Sequence, residues 1–243
     1  MPEQLPFTLL LNRVFGGVAN SLLSALHVQH DPAAPIANHV AMEILVAAML
    51  IALFAAVRAR LSVESPGGLQ HVFESIDGFV SGQSCEIIGH HSERFTPFLA
   101  TLGIFILVSN LLGLVPGFES PTATPSVPLG CALVAFFYYH TQGIRQQGAL
   151  RYAKHFAGPM PWLAPLMVPI ELISHAARVL SLTVRLYANM FAGDMVTLVF
   201  FSLIPIGIPI IFLGLHTFVA LLQAYIFVLL TTVYLAGAVA EEH

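Results

Sequence analysis

Long apolar stretches recur along this chain, and several approach or exceed the ~20 residues that carry an α-helix across a bilayer. The first is "NHVAMEILVAAMLIALFAAV" at 38–57, and the second is "PFLATLGIFILVSNLLGLV" at 97–115. A shorter run covers about 129–142, and two very long ones cover 161–204 and 208–240. No other feature narrows the fold as much. Composition agrees: 57% of the 243 residues are hydrophobic and 9% are charged, where a soluble domain has about a quarter charged. The chain reads as an all-α polytopic membrane protein built as one helical unit rather than as separate globular domains. The formal net charge of −4 is spread thinly, with no basic patch to suggest nucleic acid as a partner. Cys85 and Cys131 are far apart and match no metal-ligand spacing, so neither a metal nor a cofactor is expected.

The runs divide the chain. Residues 1–37 read as an N-terminal outer segment, because "MPEQLPFTLLLNRVFGGVANSLLSALH" has no basic stretch ahead of its apolar residues as a cleaved signal peptide would. Residues 38–57 form a first transmembrane helix. In the inner surface region 58–96, Leu69, Val72, Phe73, Ile76, Phe79 and Val80 recur at helical spacing, as in an amphipathic helix lying on the membrane. Residues 97–144 form a transmembrane hairpin around the loop "PGFESPTATPSVP", and its second limb must extend beyond 129–142 or tilt. Residues 145–160 form an inner basic loop, and 161–243 a long hairpin turned by "PIGIP".

Charge orients these spans. If they alternate, Arg58, Arg60, Arg94, Arg145, Arg151 and Lys154 all fall on one side and only Arg13 on the other. The positive-inside rule then places the N-terminus, the 116–128 loop and "PIGIP" outside, and the terminal "EEH" inside. Length adds a second constraint. The stretch from Ile170 to Ile204 holds no proline. As one helix it would be about 50 Å long at ~1.5 Å per residue, against a hydrocarbon core of ~30 Å. Ordinary tilts of up to ~40° do not absorb that difference. The helix therefore either breaks, with Gly193 the candidate, or is steeply inclined, and the last helix faces the same constraint.

A polar stripe runs along the first of these long helices. With Glu171 as zero at about 100° per residue, His175, Arg178, Arg185 and Asn189 fall between about −40° and +40°, flanked by Ser174 and Ser181, while Asp194 lies well off the stripe. On the last helix His216, Gln223 and Tyr234 align within about 20°. A serine, asparagine or glutamine in a membrane helix often does no more than bond a neighbouring helix. Arg185 differs, since an arginine at a helix centre costs ~2.5–3.5 kcal/mol on insertion scales and cannot escape by losing its proton. Arg178 repels it, and Glu171 and Asp194 are turns away along the axis. The pattern points to a counter-ion from another subunit or a substrate.

The run "LSLTVRLYANMFAGDMV", followed by "LLQAYIFVLLTTVYL" and a terminal "EEH", resembles the a subunits of F-type ATP synthases, as does "SNLLGLVPGFESPTA". The resemblance covers the chain from about residue 66 onward and is weak over the N-terminal 60 residues. Many relatives have Gly where this chain has Ala188, and Glu where it has Asp194; neither departure touches the arginine. The resemblance implies a stator subunit that is not itself catalytic. It would sit in a membrane, most simply a bacterial inner membrane, beside a ring of c subunits that each carry one buried carboxylate. Its other implied partners are the b subunits of the peripheral stalk, the lipid bilayer and protons. Arg185 would meet each ring carboxylate, flanked by Asn189 and Gln223. Asp194, His216, Asn110 and Glu119 would line an outer proton half-channel, and Glu171, Ser174, His175 and Ser181 an inner one. Steeply inclined long helices curving along the ring are implied as well.

Two other classes compete with this reading. A haem-bearing membrane anchor would need axial ligands on facing helices, and only His175 and His216 lie in the long spans, toward opposite faces. A secondary transporter often carries internal repeats, which are not visible here.

Overall fold

The computed structural model describes residues 5–25, 27, 31–32, 34–62, 67–89, 92–115, 117–152, 164–203 and 208–240. Its elements are α1 (Pro6–Ala25), α2 (Asn38–Ala59), α3 (Gly68–Ile88), α4 (Thr96–Leu112), α5 (Ser126–Gln147), α6 (Ala164–Leu203) and α7 (Ile208–Val239), with single 3-10 turns at Ser92–Arg94 and Pro121–Ala123. Among the described residues there is no strand. The "PIGIP" turn lies outside the described residues except for Ile208 and Pro209, which begin α7; Lys154 and the terminal "EEH" lie outside them altogether.

The third apolar run extends at both ends, as its length requires, and becomes the 22-residue α5. Helix α4 stops at Leu112, short of the end of its apolar run. Beyond it the chain tightens into turns, with the Leu114 and Val115 amides donating to the Leu111 and Leu112 carbonyls. The returning loop folds against the bare backbone of Gly113, where an added Cβ would lie 2.7 Å from Ser120 Cβ and 3.1 Å from the Ser120 amide nitrogen.

Helix α6 begins earlier than the proline-free stretch and continues through Pro169. It is unbroken at Gly193, so of the two options open to the sequence the break is the one the structure excludes. Its 40 residues reach about 60 Å at ~1.5 Å per residue. Helix α7 has 32 residues and reaches about 48 Å. Within a hydrocarbon layer of ~30 Å such helices fit only if steeply inclined or projecting from it. They form an antiparallel hairpin in one register. Arg178 meets Tyr234, Asn189 meets Gln223, Asp194 meets His216, and Phe200 stacks on Phe212 at 4.2 Å.

The main core lies where this hairpin packs on α4 and α5. Leu182, Leu186 and Met190 of α6 join Ala220, Ala224 and Phe227 of α7, with Leu102 and Ile106 of α4 and Ala132 and Ala135 of α5. Large apolar side chains such as Leu172, Leu180, Leu198, Phe218 and Ile211 are exposed instead. That arrangement suits a molecule whose outer surface meets lipid, where apolar exposure carries no hydration cost. The amphipathic face expected in α3 divides in two. Val80 is buried with Ile76 beside it, and Phe73 packs against the α2–α4 cluster, whereas Leu69, Val72 and Phe79 stay exposed.

Side-chain contacts define two ends of the bundle. At one end Arg94, just before α4, meets Gln146 near the end of α5, and Gln147 Nε2 donates to the Ala238 and Ala240 carbonyls at the end of α7. At the other, Asn38 at the start of α2 donates to Glu119 in the α4–α5 loop, and the Leu5 amide donates to Asn38.

Candidate functional site

Helix α6 has three faces. On an ideal wheel of about 100° per residue, its buried Leu182, Leu186, Met190 and Thr183 fall on one arc, and its exposed Leu180, Val184, Phe191 and Leu198 on the opposite one. The polar stripe occupies one shoulder between the arcs and Asp194 the other. A side chain on a shoulder can reach both the helix packed beside it and whatever lies outside the bundle.

Arg185 sits mid-helix and half-buried, with its Nε and Nη2 atoms buried and without a hydrogen-bond partner. The hairpin register places the fully buried Phe227 across from it rather than a carboxylate. No ion pair joins Arg185 to an Asp or Glu among the described residues. One turn on, Asn189 Nδ2 donates to Gln223 Oε1 at 2.8 Å. Gln223 is 1% exposed, and its own Nε2 is buried and unpartnered. The centre of the hairpin thus holds donors in excess of acceptors around a fixed positive charge, and a carboxylate is the group that fits it.

Toward the start of α6, His175 Nε2 lies 3.3 Å from Glu171 Oε1, and its Nδ1 lies 2.9 Å from the Tyr139 hydroxyl of α5. Arg178 rests 5.1 Å over the Tyr234 ring of α7, a cation–π contact worth about 0.5–2 kcal/mol depending on desolvation. A polar cleft of about 130 Å³ opens between Tyr152, Glu171, His175, Arg178, Tyr234, Gly237 and Ala238. Beside it, His140 Nδ1 lies 2.6 Å from the Tyr152 hydroxyl. Burial pushes the Tyr152 phenol up to about 12, so this hydroxyl keeps its proton and remains able to donate. Ser174 is half-buried next to His175, whereas Ser181 lies on the exposed face and does not line the cleft. Sequence reasoning did not single out Tyr139, His140 or Tyr152. The available signal was "FFYYH" at 136–140, a cluster of aromatics and a histidine in the middle of α5, where its apolar first half gives way to polar last turns.

Nearer the turn between α6 and α7, His216 Nδ1 lies 3.8 Å from Asp194 Oδ1. His216 is 4% exposed and presses on Gly193, where a Cβ would fall 2.8 Å from its Nε2. Gly193 therefore makes room for the imidazole to reach the neighbouring aspartate. Asn110 is fully buried and its amide is committed: Nδ2 donates to the Ala220 carbonyl at 3.2 Å, and Oδ1 accepts from Thr122 at 2.6 Å. Ser120 extends this network to Thr122 and to the Ser109 carbonyl. Glu119 is exposed and accepts from Asn38 at 3.4 Å, within electrostatic reach of Asp194. Asp194 and His216 thus form a direct pair, Glu119 stands at its edge, and Asn110 lies one turn of α7 away, behind Ala220.

His175 and His216 lie near opposite ends of the hairpin and each engages a carboxylate, so they do not form the facing ligand pair that a haem would need.

Residues 40–236 match the family described as "ATP synthase A chain". The chain is similar to a protein named ATP synthase subunit a from Koribacter versatilis, 57% identical over 244 residues and covering all of both chains. It is 54% identical over 234 residues to one of the same name from Solibacter usitatus, covering 96% of this chain and all of the relative. A third, from Geotalea uraniireducens, is 42% identical over 222 residues, covering 91% of this chain and 94% of its own. These alignments carry the likeness well into the N-terminal 60 residues, where the motifs alone were weak.

Proposed function

The chain belongs to the ATP synthase A chain family, and on that premise we propose that it forms two offset proton half-channels separated by Arg185 against a rotating ring of carboxylate-bearing c subunits. The coarser role is that of an integral membrane-sector subunit of the synthase, taking part in proton transport for ATP synthesis. The observation that carries the finer reading is the donor-rich centre of the hairpin, where Arg185 Nε and Nη2 and Gln223 Nε2 are buried without acceptors.

A ring carboxylate brought against Arg185 meets an opposite charge and unpaired donors, both of which favour its ionised form. The low dielectric strengthens that attraction relative to water. Because the guanidinium does not deprotonate, it neither relays the proton nor lets protons pass directly between the half-channels. Along α6, Arg185 stands about 13 Å from Asp194 and about 21 Å from Glu171 at ~1.5 Å per residue. The Asp194–His216 pair, with Glu119 at its edge, would load protons from the outer side, and the Glu171–His175 cleft would release them on the inner side. Asn110 would brace the outer half-channel. Ser174 would extend the inner one, and Ser181 would face the ring at its margin.

The bundle's two ends support the orientation proposed for it. Arg94 and Arg145 share the end that holds the C-terminus of α7, and Asn38 and Glu119 mark the other. The positive-inside rule assigns the basic end to the inner side of a bacterial inner membrane. Each proton crossing then gains about 2.3 kcal/mol per 100 mV, delivered as ring rotation. The b subunits of the peripheral stalk would hold the chain against that torque.

Arg185→Ala tests this reading in inverted membrane vesicles. With the complex still assembled, ATP-driven proton pumping should fall about 100-fold or more, the scale at which losing one preorganised charge-stabilising group is felt. Pumping at the wild-type rate would contradict it.

A further inference from the structure

We propose that Tyr139 is a positioning residue for proton release at the Glu171 end of the hairpin, its hydroxyl holding the His175 imidazole so that Nε2–H points at Glu171. This rests on the reading of the cleft as the inner half-channel. Tyr139 is 2% exposed and His175 7% exposed, while the Glu171 side chain remains 34% exposed and open to the cleft. Both imidazole nitrogens are engaged, Nδ1 by the Tyr139 hydroxyl at 2.9 Å and Nε2 by Glu171 at 3.3 Å.

The polarity of this chain is set by what each group can do. An ionised carboxylate only accepts, so Nε2 carries the proton. A neutral imidazole has one N–H, so Nδ1 then accepts from the Tyr139 hydroxyl. If the ring gains a proton, the hydroxyl turns to accept from Nδ1–H and Nε2–H stays on Glu171. Tyr139 thus serves both protonation states without moving its ring, and Glu171 faces a donor in each. A donor aimed at a carboxylate favours its ionised form, which is what a proton-releasing group requires.

The surroundings keep the imidazole in place. From α5, His140 packs beside it with ring centroids 4.6 Å apart, itself tied to the Tyr152 hydroxyl. Tyr234 of α7 and Arg178 of α6 line the same cleft, with the guanidinium over the Tyr234 ring. Glu171 is the carboxylate in this group.

The experiment measures ATP synthesis by the assembled synthase, driven by an imposed proton gradient in inverted vesicles, whose external medium bathes the Glu171 end and receives the released protons, as a function of medium pH and relative to wild type. Tyr139→Phe keeps the ring and removes the hydroxyl. His175 can then place its proton on Nδ1 and present a bare Nε2 to Glu171. The midpoint of the pH profile should move upward and the rate should fall about threefold to tenfold, the worth of one ordinary hydrogen bond. His175→Asn, which removes the donor at Nε2, should move the midpoint the same way. In a His175→Gln background, where an amide N–H replaces Nε2–H without a tautomer, Tyr139→Phe should have no further effect. An unmoved midpoint in both Tyr139→Phe and His175→Asn, with Glu171→Gln still altering the profile, overturns the positioning role and leaves the half-channel intact. A profile unaffected by Glu171→Gln overturns the half-channel itself.

Discussion

Arg178 and Arg185 lie two turns apart on one shoulder of α6, yet they are held differently. Arg178 has the face of Tyr234 beneath it, whereas Arg185 has buried nitrogens with no partner. A group left unsatisfied at this depth costs several kcal/mol, and a carboxylate passing along the exposed shoulder would relieve that cost transiently. Arg185→Lys should therefore also lose most pumping despite keeping the charge. An ammonium is a compact, strongly hydrated point charge that can titrate when buried, and it lacks the planar fork; near-normal pumping by the lysine variant would show that charge alone suffices. Asp194 and His216, 3.8 Å apart, should behave as one unit. Asp194→Asn and His216→Ala should each slow pumping, and the double variant should lose about threefold or more less than the product of the single losses, as expected for contacting groups. Multiplicative losses would argue against a shared path. These residues were legible in the sequence because a charge or an imidazole in an apolar run stands out. Tyr139 and Tyr152 were not, because an aromatic side chain counts as packing until its hydroxyl is seen against a histidine. Asn110 was legible only as a polar residue; that its amide is spent on Thr122 and Ala220 depends on a loop and a helix distant in sequence.

At the scale of elements, the apolar runs foretold the membrane helices, and the spacing of Phe73, Ile76 and Val80 foretold α3. The sequence pointed to α3 lying on the membrane and did not show that Phe73, Ile76 and Val80 pack on protein, because helical periodicity reports an apolar face without naming its partner. It also left open whether α6 breaks, since glycine is tolerated within a membrane helix and Gly193 could have marked either a kink or a close approach. The close approach is what His216 needs. A tighter approach occurs where α5 meets the end of α7. A Cβ on Gly143 would sit 2.8 Å from the Ala238 carbonyl oxygen and 2.6 Å from Tyr152 Cε2. Gly143→Val should therefore destabilise the subunit by about 1–3 kcal/mol, the usual cost of overpacking. The expected sign is a lower temperature for its loss from detergent-solubilised synthase. Gly130→Val on the same helix, where a Cβ meets nothing within 4 Å, should leave that temperature unchanged; equal effects at both sites would mean that the α5–α7 contact is not what the glycine protects.

At the scale of the whole molecule, the hairpin of α6 and α7 carries two carboxylate–histidine pairs spaced along its length, with Arg185 between them. Glu171 and His175 lie toward the end marked by Arg94 and the α7 terminus, and Asp194 and His216 toward the turn. Side-specific thiol labelling addresses that arrangement most directly. With Cys85→Ser and Cys131→Ala removing the native thiols, Glu171→Cys and Ser174→Cys should react with a membrane-impermeant reagent only from the inner side. Asp194→Cys and His216→Cys should react only from the outer side. Leu186→Cys, next to Arg185 and fully buried, should react from neither, because continuous water there would dissipate the gradient. A reagent that reached all of these positions equally from one side would contradict two offset half-channels and indicate a simple transmembrane pore.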